Sequence, residues 1–280
     1  MSAMCFHNGR YAPLEECCLP VTDLIIQRGV GVFESIRTYG GRTFAASRHL
    51  DRLAESAKQC GMRAEKIIEM LPSIIKDGVA HPSAPKPEML IKPFVTGGKI
   101  NQHGVFPEPD FFVIFEELHT LNDSNTQAGI ELEPNFMERP LPRIKTTSYV
   151  AGLIALRGGS ENVFEALYCP NGEITESMAS NFFLCLDGTI ITAPLDRVLR
   201  GVTRDIVLTL ARENGFKIEE RCPRWNELAL AQEAFITGSL KEVLPVIRIG
   251  RQIIGGGNPG PVAKHLHRLF MENINRWIDK

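Results

Sequence analysis

The stretch NGEITESMASNFFLCLDGTIITAPLDRVLRGVTRDIVLTLA, residues 171–211, decides the reading of the fold. It opens on Asn171-Gly172, a dipeptide that suits the centre of a tight hairpin because both residues tolerate positive φ. Two runs of strand formers follow, at Asn181–Leu186 and Thr189–Thr192. Gly201 then precedes a predicted helix, Thr203–Asn214. Ile206, Val207, Leu210 and Ala211 fall on one face of it, and Gly215 stands where it should stop. Strands and a helix in close succession predict a mixed α/β or α+β segment.

Working outward, the same mixture continues. Strands are expected at Phe216–Arg221, Glu233–Thr237 and Val243–Arg248, and helices at Tyr149–Arg157 and Val262–Trp277. Toward the N-terminus, a short strand-and-turn region leads into strand formers over Gly31–Tyr39. A helix is predicted over Ser47–Cys60, where Leu50, Leu53, Ala54 and Ala57 recur at helical spacing before Gly61. A second amphipathic stretch, Ile67–Ile75, is expected to stop near Gly78. Proline-bearing loops at His81–Glu88 and Gln102–Asp110 flank a strand at Met89–Thr96, and Phe111–Phe115 reads as a further strand. The polar, aperiodic HTLNDSNT, residues 119–126, marks the expected boundary between a small N-terminal α/β domain, residues 1–120, and a larger C-terminal one, residues 127–280.

Composition narrows the class. The 280 residues are 44% hydrophobic and 23% charged, enough apolar material for a packed core and too much for a disordered chain. Lys and Arg number 31 against 33 Asp and Glu, a net charge of -2 with no charged block. A nucleic-acid partner is therefore not expected, and neither is a membrane partner, since no apolar run reaches a spanning length. Seven cysteines are scattered without a CxxC pair, which reads as reduced thiols in a cytoplasmic protein. His265 and His267 lie two apart and do not share a helix face, so no metal site is expected there.

The common catalytic signatures are missing: no GxGxxG, no GxxxxGK[ST], no GxSxG and no HExxH occur, and Gly255–Gly257 reads as a turn. Four features remain, each with an ordinary alternative. Lys145, in PRIKTTSYV, is a candidate amine nucleophile or a solvated charge. Glu176 is a candidate acid or a turn-end residue. Gly201-Val202-Thr203 offers a helix start with backbone N–H groups and a hydroxyl to a phosphate, or simply a loop and cap. Gly238-Ser239, following a strand, admits the same two readings.

Taken in order along the chain, these motifs resemble the class IV (fold-type IV) pyridoxal-phosphate aminotransferases, a group spanning branched-chain aminotransferases, D-amino-acid aminotransferases and aminodeoxychorismate lyases. The resemblance begins at Asn8-Gly9 and runs through RGVGVFESIRTYGG (28–41), RHLDRLAESA (48–57), IKTTSYV (144–150), NGEITESMASNFF (171–183) and TAPLDRVLRGVTRDIVLTLA (192–211). It continues in ELALAQEAFITGSLKEVLPV (227–246) and GPVAKHLHRLF (260–270). It implies a two-domain α/β fold with pyridoxal 5'-phosphate between the domains, and a cytoplasmic homodimer with shared active sites. The partners are then an amino acid and a 2-oxo acid such as 2-oxoglutarate.

Residue by residue, Lys145 matches the lysine that holds the cofactor covalently and carries the proton during transfer. Such an amine must lose its own proton first, which burial or nearby positive charge promotes. Glu176 matches the carboxylate facing the pyridine nitrogen. Arg52 matches the phosphate-binding arginine, Val202 and Thr203 the phosphate-binding helix start, and Ser239 a further phosphate hydroxyl. Tyr149 matches a tyrosine of the branched-chain enzymes, although it follows the lysine by four residues where five are expected. A non-catalytic cofactor carrier is disfavoured because Lys145 and Glu176 are both present.

For substrate contacts the resemblance points to Phe33, Arg28, Lys92, His103 and Leu240. Phe33 matches an aromatic residue of the branched-chain pocket, and Lys92 lies where those enzymes usually have arginine. His103 falls in QHGVFPE, which resembles the carboxylate-trapping loop of the D-amino-acid enzymes, but Gln102 replaces their arginine. Loss of a charge-assisted bidentate pair there weakens such a trap by on the order of 2 kcal/mol. Arg28 stands where tyrosine is expected and offers another positive charge. Apolar, branched-chain L-amino donors are therefore the expected substrates, with D-amino-acid transamination and aminodeoxychorismate cleavage as alternatives.

Overall fold

The computed structural model describes residues 3–106, 108–119, 128–156 and 162–279. The chain divides into two compact units. The first comprises Met1–His119, Ile144–Ser148 and Ile274–Lys280, and the second Thr120–Arg143 and Tyr149–Asn273. The expected single cut over 119–126 falls almost entirely outside the described residues. The division also differs from that cut, because Ile144–Ser148, with Lys145, lies in the first unit.

The first unit is built on a seven-stranded sheet of β1 (Met4–His7), β2 (Arg10–Pro13), β3 (Gly31–Phe33), β4 (Ile36–Tyr39), β5 (Arg42–Thr43), β6 (Met89–Lys99) and β7 (Glu108–Glu117). Strand order is β2-β1-β7-β6-β4-β5, with β3 also pairing β6. Between them in sequence lie α1 (Leu24–Arg28), α2 (Ala46–Gln59) and α3 (Glu65–Ala80). Alternation along β6 and β7 sets the two faces. Ile91, Val95, Val113 and Phe115 are buried with Leu50 and Leu53 of α2 and Leu71 and Ile74 of α3. Lys92, Phe94, Phe112 and Ile114 fall on the other face, which is only partly covered.

The helix α3 ends at Ala80, close to the expected stop near Gly78. Gly78 serves packing there, since a Cβ would lie 2.2 Å from Cζ of Phe115. The strands β6 and β7 extend beyond the expected Met89–Thr96 and Phe111–Phe115 because they pair with each other over most of their length, a long-range gain that local propensity does not contain.

The second unit holds an eight-stranded sheet: β8 (Ile130–Asn135), β9 (Val163–Tyr168), β10 (Asn181–Leu186), β11 (Thr189–Thr192), β12 (Lys217–Glu220), β13 (Glu233–Gly238), β14 (Glu242–Ile249) and β15 (Gln252–Ile253). Its order is β12-β11-β10-β13-β14-β8-β9, with β15 at the side of β14. The helices are α4 (Val150–Leu156), α5 (Val202–Glu213) and α6 (Pro261–Glu272). The core gathers Leu132, Leu167, Phe182, Leu184, Ile236 and Leu244. Buried Glu233 accepts the backbone N–H groups of Val262 (2.8 Å) and Ala263 (3.0 Å), so a carboxylate satisfies the start of α6. The predicted helix to Trp277 is interrupted after Glu272, and the residues from Ile274 onward join the first unit. There the Asp279 carboxylate accepts the Ala46 N–H at 2.7 Å, at the start of α2.

Candidate active site

Lys145 is placed by backbone pairing. The Phe33 N–H donates to the Lys145 carbonyl (3.1 Å) and the Thr147 N–H to the Gly31 carbonyl (3.0 Å), which lays 145–147 along β3. Gly31 permits this approach, since a Cβ there would meet Ile25 Cδ1 at 2.8 Å and Thr147 Cγ2 at 3.3 Å. The Lys145 amide also donates to Ser56 Oγ on α2 at 3.3 Å. Its Nζ lies 4.5 Å from the Phe33 ring centroid. From Phe33 a row of stacked rings crosses the open face of the sheet. Phe33 and Phe94 lie 5.2 Å apart and Phe94 and Phe112 4.7 Å apart. The amine thus stands at the end of an aromatic wall.

Close by, Glu34 is fully buried at the break between β3 and β4. It takes a bidentate pair from Arg52, Nε at 2.7 Å and Nη2 at 2.8 Å, and His49 Nδ1 lies 2.7 Å from the same carboxylate. Burial alone would raise the Glu34 carboxyl, but the charges of Arg52 and His49 and their hydrogen bonds overcome it and hold it far below the usual range. Burial lowers His49, against the pull of Glu34, with Arg52 and Lys145 adding to the lowering. Arg52 therefore has its planar fork fixed in direction, as a phosphate-binding guanidinium requires.

This cluster sets a pH dependence. Both groups have folded pKa values below their unfolded ones, so both bind more protons when unfolded, and both contribute stability at neutral pH that is lost as pH falls. The loss should begin as pH drops through about 6.5 and steepen below about 4.3, the unfolded values of His and Glu. The midpoint of urea unfolding should decline from pH 7 to pH 4. Glu34→Gln should flatten the part of that decline below pH 5, and an unchanged slope in that variant would remove Glu34 as its source.

In the second unit, Glu176 is buried at the end of a hairpin that turns through Asn171 and Gly172, both at positive φ, with Leu167 bridging Ser177. Its carboxylate accepts from Arg139 Nη1 (2.5 Å), Asn181 Nδ2 (3.2 Å) and the Leu199 N–H (3.1 and 3.2 Å). Three donors fix its position. Val202 and Thr203 are buried in the first turn of α5, whose start has no side-chain cap, so its N–H groups are oriented for an anion. Gly201 is required there because a Cβ would lie 1.9 Å from Asn181 Oδ1. At the end of β13, Thr237 Oγ1 is buried with no hydrogen-bond partner, next to Gly238 and the half-buried Ser239 and Leu240. An orphaned hydroxyl beside Ser239 suits a ligand oxygen. Lys241, one residue further on, pairs with buried Glu165 and donates to Ser180 Oγ at 2.8 Å. Tyr149 is half-buried immediately before α4, its carbonyl accepting the Leu153 N–H.

The remaining expected contacts lie in the first unit. Arg28 is exposed at the end of α1. Lys92 is half-buried and paired with Glu116 at 2.7 Å. His103 is exposed in a turn held by Asn101 Oδ1. Glu34, His49, Phe94, Phe112, Arg139 and Asn181 were not singled out from sequence. The shared alternation phase of Phe94 and Phe112, and the i,i+3 spacing of His49 and Arg52, were the available signals.

The family model described as amino-transferase class IV matches residues 31–249. D-alanine aminotransferase of Bacillus licheniformis is 30% identical over 272 residues, covering 95% of each chain. The branched-chain-amino-acid aminotransferase of Pseudomonas aeruginosa is 26% identical over 291 residues, covering 96% of this chain and 92% of that one. Among solved structures, the branched-chain amino acid aminotransferase of Escherichia coli is similar at 26% identity, with a TM-score of 0.83 and coverage of 100% of this chain and 97% of that one. A putative branched-chain amino acid aminotransferase from Thermotoga maritima is similar at 26% identity, with a TM-score of 0.80 and coverage of 98% and 95%. The protein belongs to the class IV aminotransferase family and has its α/β fold.

Proposed function

We propose that this aminotransferase uses pyridoxal 5'-phosphate to move the amino group of an apolar, branched-chain L-amino acid to a 2-oxo acid such as 2-oxoglutarate. The observation that carries the substrate class is the aromatic wall of Phe33, Phe94 and Phe112 ending at the Lys145 amine. A bulky apolar side chain buries surface against such a wall, at roughly 25 cal/mol per Å², whereas a methyl group gains little.

The residues present fit the cofactor. Arg52, Val202, Thr203 and Ser239, with the orphaned Thr237 hydroxyl, are the donors for its phosphate, and Glu176 is the partner for its ring nitrogen. When bound, the group supplies an electron sink for the charge left on the substrate α-carbon. Lys145 Nζ would hold the cofactor covalently and would be the base that moves the proton at the substrate α-carbon. Glu34 and His49 orient Arg52, and Arg139, Asn181 and the Leu199 N–H orient Glu176. Tyr149 and Leu240 are assigned to the surroundings of cofactor and substrate, and Arg28, Lys92 and His103 to the recognition of substrate carboxylates. A cytoplasmic homodimer completes this reading.

The test is kcat/KM for L-leucine, L-valine, D-alanine and D-glutamate with 2-oxoglutarate as acceptor. L-Leucine should exceed D-alanine by at least about 10-fold, since the side chains differ by three carbons and a single methylene in an apolar pocket already provides that discrimination. Preference for either D-substrate would overturn the assignment, and its loss in Arg28→Ala would then mark Arg28 as the carboxylate trap.

A further inference from the structure

A cluster of three sulfurs lies in the first unit, apart from Lys145 and Arg52. Cys5 is buried in β1, opposite Ala12 of β2 and Ile114 of β7. After β2 the chain turns through a 3-10 segment, Leu14–Glu16, that brings Cys17 back against it. The Cys5 thiol donates to Cys17 Sγ at 2.8 Å. Cys17 is half-buried and Cys18 exposed. Cys5, His7, Arg10, Glu16, Cys17 and Cys18 line a surface cavity of about 170 Å³. Among the described residues, no group of three His, Cys, Asp or Glu side chains is placed to hold a metal ion.

We propose that Cys5 and Cys17 are a redox-active pair that a two-electron oxidant of the peroxide class converts to a disulfide. The sulfurs are in contact before any reaction, and covalent bonding, at about 2.05 Å, requires them to close by less than about 1 Å. Cys17, the more accessible of the two, reacts first. Its thiolate attacks one peroxide oxygen, the O–O bond breaks, and the second oxygen leaves as water after taking up a proton. Cys17 is then a sulfenic acid. The Cys5 sulfur attacks that sulfur, the S–O bond breaks, and the departing hydroxide takes the Cys5 proton to leave as a second water. Two thiols are oxidised by two electrons and one peroxide is reduced to two waters. Burial raises the Cys5 thiol, with the Cys17 hydrogen bond and charge adding to it, so the Cys5 proton is still present for this step. The bond closes a loop over residues 5–17 and fastens the segment that leads into α1.

The experiment uses the full-length holoenzyme, treated with a small molar excess of hydrogen peroxide, alkylated with iodoacetamide and digested with trypsin without reduction. The peptide ending at Arg10 should be joined to Tyr11–Arg28, at about 2 Da less than the sum of the two, and a dithiol reductant should separate them. Cys18→Ser should keep the link and Cys17→Ser should lose it. The thermal midpoint should rise by about 5 °C on oxidation of the wild type, as for closure of a short loop, and not in Cys17→Ser. Alkylated Cys5 in the oxidised protein, a link made to Cys18, or Cys17 carried on to a sulfinic acid would each overturn the pairing.

Discussion

Lys145→Ala is expected to lose nearly all turnover, with kcat falling by at least about 10³- to 10⁴-fold, because in the proposed mechanism the residue both attaches the cofactor and carries the proton. The variant should nevertheless fold. The bonds that fix the segment are main-chain bonds, from Phe33 N to the Lys145 carbonyl and from the Lys145 amide to Ser56 Oγ, and alanine keeps both. The stability lost includes the contact between Nζ and the Phe33 ring, about 0.5–1 kcal/mol. Borohydride treatment of the wild type should fix pyridoxal phosphate to the peptide containing Lys145 and to no other. Label recovered on a different lysine, or turnover that survives in the alanine variant, would sink the assignment.

The second large effect is expected at Glu176. Glutamine keeps its shape and removes its charge, so the ring nitrogen of a bound cofactor would no longer be held protonated. On this basis kcat should fall by about 100-fold while cofactor affinity changes far less. A structural cost accompanies it. Arg139, Asn181 and the Leu199 N–H all donate to the carboxylate, and an amide nitrogen in place of one oxygen turns one of these contacts into donor against donor. The loss should be about 1–3 kcal/mol. The two consequences are separable: Asn181→Ala should share the stability loss but keep most of kcat. If Glu176→Gln matched Asn181→Ala in both quantities, Glu176 would be a turn residue and nothing more.

Local signals carried much of the fold. Strands at Asn181–Leu186 and Thr189–Thr192 were placed as read, because each is a short apolar run bounded by turn residues. The predicted helix Ser47–Cys60 differs by one residue at each end from the observed Ala46–Gln59, with its apolar face on the core. β8 and β9 were not foreseen. They pair in parallel, and β8 pairs β14 in parallel too, so their partners are fixed by long-range packing. In the sequence a motif proposes single residues, as with Lys145 or Glu176. The site was illegible where function rests on a partner distant in sequence. Glu34 gains meaning only when α2 brings His49 and Arg52 to it, and Arg139 only when the hairpin sets Glu176 beside it.

The routing of the chain has a further consequence. It leaves the first unit after His119, returns for Ile144–Ser148, leaves again, and comes back at Ile274. Neither unit is therefore a contiguous stretch that could be excised, donated to another gene or expressed as a working module. A fragment beginning at residue 127 would carry Lys145 away from Gly31 and Phe33, the residues that hold its segment, and an N-terminal fragment would keep that strand without Lys145.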